Sequence, residues 1–196
     1  MPTVSHPLIE NSLFEKRLQP CILVIFGATG DLTARKLMPA LYQLTKGKQL
    51  PSRFACVAFA RRKKSHETFR EEVKSSIEKY GRDKEVDLSA WSSFSERLYY
   101  HQCEFDDSKG YSDLKVFLQR LDEKLGTKGN RLYYLATQPS FFPIILENLH
   151  KSSLIYEQNK SKVQWSRVVF EKPFGHSIES AKELQGIVDL YLDESQ

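Results

Sequence analysis

The sequence predicts an α/β protein built on a doubly wound parallel sheet, contained in a single domain. Three observations predict it: five short runs rich in apolar and β-branched residues, helix-period segments between them, and a glycine turn directly after the first run. Strands that alternate with helices are joined by right-handed crossovers, which puts helices on both faces of one sheet, as in a Rossmann-type layer.

The elements follow in order. Residues 1–20 read as a polar leader, and the domain runs over 21–196. Cys21 to Phe26 is unbroken in its apolar character and stops at Gly27, the pattern of a strand buried on both faces. From Asp31 to about Thr45, Leu32, Leu37, Leu41 and Leu44 recur at helical spacing, and Pro39 inside this pattern predicts a kink. Phe54 to Ala60 is the second strand, and Glu67 to Tyr80 is a helix that turns Phe69, Val73, Ile77 and Tyr80 to one face. Leu98 to Cys103 is the third strand, Tyr111 to Leu125 a helix, Arg131 to Ala136 the fourth strand and Phe141 to Leu149 a short helix. Lys151 to Lys162 is polar and reads as a loop, Arg167 to Glu171 is the fifth strand, and Ser177 to Leu192 is the closing amphipathic helix.

Composition narrows the function classes. The 29 Lys and Arg against 25 Asp and Glu leave a net charge of only +4, too little to argue for a nucleic-acid partner. No stretch approaches the roughly 18 apolar residues of a membrane span, and no signal-peptide core opens the chain. Cys21, Cys56 and Cys103 make no C-x-x-C pair and each lies in or beside an apolar run, as buried free thiols do, which fits a reducing, cytoplasmic setting. No residue pattern suggests a metal site, and His6, His66, His101, His150 and His176 read as surface or strand residues with no catalytic role.

Three blocks carry chemistry. The first is Gly27-Ala28-Thr29-Gly30-Asp31-Leu32, placed where a strand hands over to a helix N-terminus and backbone N–H groups can meet a pyrophosphate. Its spacing is G-x-x-G, with Thr33 where a third small residue is common, so a glycine turn without a ligand is the alternative. The second block, Arg61-Arg62-Lys63-Lys64, ends the second strand where NAD enzymes usually keep an acid for the ribose hydroxyls. Coupled to the glycine turn it predicts NADP, with Arg61 on the 2′-phosphate and Lys63 and Lys64 facing water; a solvated basic corner is the alternative. The third, Glu171-Lys172-Pro173-Phe174-Gly175, follows the fifth strand on the same side, where Lys172 can meet an anion and the Lys172-Pro173 bond is a candidate for cis geometry. For any lone Lys-Pro the alternative is a plain strand-ending turn.

In this order the blocks resemble the amino-terminal part of the glucose-6-phosphate dehydrogenases, with a Gly-Ala-Ser/Thr-Gly-Asp-Leu-Ala turn, an Ala-Arg step and Glu-Lys-Pro-Phe-Gly. The likeness runs from about Cys21 to the end and includes Arg35-Lys36 with Pro39, and Tyr134-Leu135-Ala136 ahead of Pro139. The resemblance implies that Gly27, Ala28, Thr29, Gly30, Asp31, Leu32, Thr33 and Ala34 cradle the cofactor, that Thr29 and Arg61 bind its 2′-phosphate, and that Glu104 also faces it. Lys36 and Lys172 would line the junction between nicotinamide and the sugar phosphate. Gln138 stands where the family often has Pro, and Phe142 where some members have a cofactor-side Tyr.

The family's catalytic block, Arg-Ile-Asp-His-Tyr-Leu-Gly-Lys, ordinarily follows a helix like Ser177 to Leu192, and these 196 residues do not contain it. The resemblance therefore implies that the chain is the cofactor part of an enzyme that oxidises glucose 6-phosphate with NADP in the pentose phosphate route. It further implies that the chain is inactive alone and that the whole enzyme is a homo-oligomer. A non-catalytic NADP-binding sensor or partner-binding module would carry the same glycine turn and basic strand end.

Overall fold

A computed structural model of the chain describes residues 18–83, 85–156 and 164–196. The leader at 1–20, apart from its last three residues, lies outside them, as do His6 and the second half of the loop at 151–162. Five strands, β1 (Cys21–Phe26), β2 (Phe54–Ala60), β3 (Leu98–Gln102), β4 (Arg131–Leu135) and β5 (Ser166–Phe170), form one parallel sheet in the order β3-β2-β1-β4-β5. The order reverses between β1 and β4, the switch point of a doubly wound fold.

Both faces of β1 are covered, which is why its sequence shows no polar alternation. Ile22, Val24 and Phe26 pack into one core with residues of α4 (Ser108–Leu125), α5 (Phe142–Lys151) and α6 (Ile178–Tyr191). Cys21, Leu23 and Ile25 pack into the other with residues of α1 (Met38–Lys46), α2 (His66–Tyr80) and α3 (Leu88–Ser95). Beneath the switch point the first core is aromatic, with Phe26 and Phe59 centroids 4.6 Å apart and Tyr111 5.2 Å from Phe59.

The helices differ from the sequence reading in two places. Helix α3 was not expected; Asp87 caps it by accepting from the Ala90 N–H at 2.6 Å, and Phe94 is its buried anchor. The setting of Pro39 also differs from the sequence reading. A π-helical turn at Thr33–Leu37 comes first and runs without a break into α1, with Pro39 in the first turn of α1. A short 3₁₀ turn, Pro139–Phe141, likewise precedes α5.

At the base of β4 Arg131 is almost fully buried and forks onto Asp122 of α4, its Nη1 donating at 2.8 Å and its Nη2 also donating. Burial pushes the Asp122 carboxyl up, but the hydrogen bonds from Arg131 and Thr127 outweigh it and hold the group below its ordinary range. All three cysteines are buried free thiols, and burial pushes Cys21 up to about 11 and Cys56 and Cys103 up to about 12, so they are inert at neutral pH.

Candidate functional site

The carboxyl ends of four strands meet in a cleft of about 700 Å³. Gly27, Thr29 and Gly30 follow β1, Ala60 with Arg61 and Arg62 end β2, Glu104 with Phe105 and Asp106 follow β3, and Ala136 with Thr137 and Gln138 follow β4. Such a crevice at the switch point is where open α/β sheets hold their ligands. A larger, open groove of about 1540 Å³ lies at the other end of the sheet, lined by Pro20, Arg53 and their neighbours, which precede the strands.

The glycine turn is built by close backbone approach. Gly27 has φ +79°, and a Cβ there would stand 2.4 Å from the Ala136 carbonyl oxygen. At Gly30 a Cβ would stand 3.0 Å from the Gly27 carbonyl oxygen. The N–H groups of Gly27 and Ala28 both donate to the Phe59 carbonyl, at 3.1 and 3.3 Å, and that of Gly30 donates to Gly27 at 2.9 Å. These three donors are therefore occupied within the fold. The donors left for an anion are those past Gly30, at the start of the helix, where first-turn amides have no intrahelical acceptor.

The predicted residues divide into two sets. Gly27, Thr29, Gly30, Arg61 and Glu104 converge on the cleft. Ala28 is buried in the core, and Thr33 turns inward, its Oγ1 3.5 Å from the Gly27 carbonyl that it donates to. Asp31, Leu32 and Ala34 flank the turn without lining the cleft; Asp31 pairs with Arg35 at 3.3 Å. Lys36 and Lys172 are both exposed, and neither lines it. Lys64 corrects the sequence reading: it is largely buried and ion-paired with Glu72 of α2, whereas Lys63 is exposed.

Near Lys172 the chain is held from several sides. The Lys172-Pro173 bond is cis, and the Tyr134 hydroxyl on β4 donates to the Glu171 carboxylate. Phe174 packs on Phe170 at 5.8 Å, and Gly175, at φ +91°, comes so close to α6 that a Cβ would lie 2.7 Å from the Ala181 nitrogen.

Sequence reasoning missed Arg62, Phe105, Asp106, Phe141 and Ile144, which also line the cleft. Phe105 stands on the aromatic core, 6.1 Å from Phe59, and meets Phe141 at 5.1 Å, forming an apolar wall. Arg62 could have been found, since it directly follows Arg61 at the strand end. Among the described residues neither arginine has a carboxylate within ion-pair distance, although Glu104 and Asp106 bring negative charge to the third strand's side of the cleft. No described histidine lines the cleft, and the described residues hold no cluster of metal-ligating side chains. No described helix is long and apolar enough to cross a membrane.

The family model described as glucose-6-phosphate dehydrogenase, NAD binding domain, matches residues 24–196. The glucose-6-phosphate 1-dehydrogenase of Chlamydia muridarum is 50% identical over 175 residues, covering 89% of this chain and 34% of the relative. That of Chlamydia pneumoniae is 52% identical over 176 residues, covering 90% and 34%. The chain thus spans about a third of the length of these relatives. A solved structure described as glucose-6-phosphate dehydrogenase in complex with its substrate glucose-6-phosphate matches with a TM-score of 0.78 and 31% identity, over 90% of this chain and 35% of that one. The glucose-6-phosphate 1-dehydrogenase from Mycobacterium avium gives 0.75 and 31%, over 89% and 35%.

Proposed function

The chain belongs to the glucose-6-phosphate dehydrogenase family, as its NAD-binding domain, and from that premise we propose that it binds NADP in the switch-point cleft, as the cofactor part of an enzyme that oxidises D-glucose 6-phosphate to 6-phosphogluconolactone. NADP, when bound, supplies the hydride acceptor of that reaction. Everything else assigned to this chain is binding and orientation.

The glycine turn fits a pyrophosphate because its two glycines, with no Cβ to clear, let the chain turn tightly at the strand end and start the helix beside the cleft. The amides of the helix start meet the pyrophosphate, and Thr29 joins Arg61 at the 2′-phosphate. Arg61 meets the 2′-phosphate, Glu104 faces the cofactor from the third strand, and Lys36 and Lys172 orient the sugar phosphate. The contact of Tyr134 with Glu171 gives the neighbouring Lys172 a defined origin. We assign this chain cofactor binding and not the removal of the sugar's C1 hydroxyl proton, and no described histidine lines the cleft. The buried free thiols support a cytoplasmic place for the protein.

One observation carries the choice of NADP over NAD: the residue at the end of β2 that shares the cleft with the glycine turn is Arg61, not an acid. Arg61→Ala is expected to weaken NADP binding about ten- to hundredfold in calorimetric titration and to leave NAD binding unchanged. Equal loss for both cofactors would remove Arg61 from the 2′-phosphate.

A further inference from the structure

The turn that carries Arg61 and Arg62 is tied to the neighbouring strand by all three of its first carbonyls. The Cys103 N–H donates to the Ala60 carbonyl at 3.1 Å, and Gln102 Nε2 donates to that of Arg61 at 3.4 Å. The Tyr100 hydroxyl donates to the Arg62 carbonyl and lies 3.4 Å from that of Ala60. On its far side the turn is anchored by Lys64 on Glu72 and by Ser65, which caps α2 by accepting from Thr68 at 3.1 Å.

This arrangement bears on anion binding. A carbonyl oxygen facing an anion repels it, and three consecutive carbonyls engaged by β3 are kept from doing so. Both arginines line the cleft, and no described carboxylate competes for them at ion-pair distance. Tyr100 is well placed to hold the turn. It is 5% exposed, its ring packs on Phe69 at 5.3 Å, and its own N–H donates to His66 Nδ1 at 2.9 Å. Burial pushes its phenol up to about 12, so the hydroxyl remains a donor at neutral pH.

We propose that Arg62 is a second arm on the cofactor's 2′-phosphate beside Arg61, and that Tyr100 is the positioning residue that presents it. The proposal rests on the cofactor reading above and adds to it a residue on β3 that touches no ligand.

The probes are adenosine 2′,5′-bisphosphate and adenosine 5′-monophosphate, which differ by the 2′-phosphate alone, titrated calorimetrically into the chain and its variants. Arg62→Ala is expected to lower affinity for the bisphosphate about tenfold and to reduce the salt dependence of its binding, with the monophosphate unchanged. Tyr100→Phe is expected to reduce the ratio of the two affinities about three- to tenfold, in a protein whose melting temperature is measured alongside. A merely structural tyrosine would lower both affinities together and leave the ratio intact, and that result would overturn its role. If Tyr100→Phe does not fold, Gln102→Ala, which removes the neighbouring tie at an exposed position, must reduce the same ratio. A ratio that falls in Arg61→Ala but stays unchanged in Arg62→Ala and Tyr100→Phe refutes this inference while sparing the cofactor reading. A wild-type chain that does not prefer the bisphosphate refutes both.

Discussion

Replacing Gly27 by alanine tests whether the glycine turn is the contact that closes the switch point. Three effects add. An L-residue at the observed φ of +79° costs about 1–2 kcal/mol. The new Cβ would stand 2.4 Å from the Ala136 carbonyl oxygen and 3.1 Å from its carbon. Those atoms are backbone, and they can recede only by loosening the Ala136 N–H to Phe26 bond of 3.0 Å that ends the β1–β4 ladder. Overpacking of this kind costs about 1–3 kcal/mol, and the bond about 0.5–1.5 kcal/mol more, giving a total of about 3–6 kcal/mol with the φ penalty. Domain stabilities are about 5–15 kcal/mol, so the variant is expected to stand near the edge of unfolding. Urea unfolding followed by Trp91 and Trp165 fluorescence reads the loss as a midpoint lowered by about 2 M, or as a missing folded baseline. Gly30→Ala is the control, since its Cβ would meet one oxygen at 3.0 Å without a positive φ, and its loss is expected to be smaller. A Gly27→Ala midpoint within about 0.3 M of wild type, or a larger loss at Gly30, would refute the account of the turn.

Two further outcomes follow from buried polar groups. Asp122→Ala leaves the buried Arg131 guanidinium, whose Nε already lacks a partner, without its carboxylate, and is expected to lose about 3–5 kcal/mol in the same urea assay. Asp122→Leu with Arg131→Met is expected to recover most of that loss, and a double variant as unstable as the single one would count against it. His66 and His101 are each held below the ordinary imidazole range, first by burial, and His66 Nδ1 must stay unprotonated to accept the Tyr100 N–H. The folded state then binds fewer protons than the unfolded state just below the ordinary histidine range, so stability is expected to fall as pH drops from about 7.5 to about 5.5. His66→Gln is expected to flatten that fall, and an unfolding midpoint independent of pH across this window would refute it.

Much of the fold was legible because its strands are buried on both faces and its helices are amphipathic. CILVIF and FACVAFA can hardly be anything but central strands, and they are the two strands that meet at the glycine turn. Helix α3 escaped notice because four serines dilute an eight-residue segment, although Asp87 followed by Ala90, Trp91 and Phe94 is a cap with one apolar face. The π-helical turn before α1 leaves no such mark. It widens the backbone ring by one residue without altering which side chains are apolar. In the cleft lining, Gly27 and Arg61 were legible because each follows a strand directly, and Gly30 because it closes the turn that Gly27 opens. Tyr100 and Gln102 were not, since their contact with the Arg61-Arg62 turn depends on β3 lying beside β2 with Ala60 opposite Gln102, a register that no local pattern encodes.

The cleft separates into a floor and a rim that answer to different physics. After β1 the chain passes to α1 on the face of Leu23 and Ile25, and after β4 it passes to α5 on the face of Val24 and Phe26. The two carboxyl ends therefore diverge above the point where Gly27 meets Ala136, and the aromatic cluster around Phe26 and Phe59 supports that point from below. Floor residues hold the sheet together and shape the cleft with the same contacts, so substitution there changes stability and binding at once. Arg61 and Arg62 are exposed on the rim, and their side chains lend the core nothing. The selectivity for a 2′-phosphate proposed above can therefore vary at the rim while the fold is unaffected, except at Tyr100, where a core side chain reaches the rim. Loss of selectivity together with stability in Tyr100→Phe, against loss of selectivity alone in Arg62→Ala, is the pattern that this division requires.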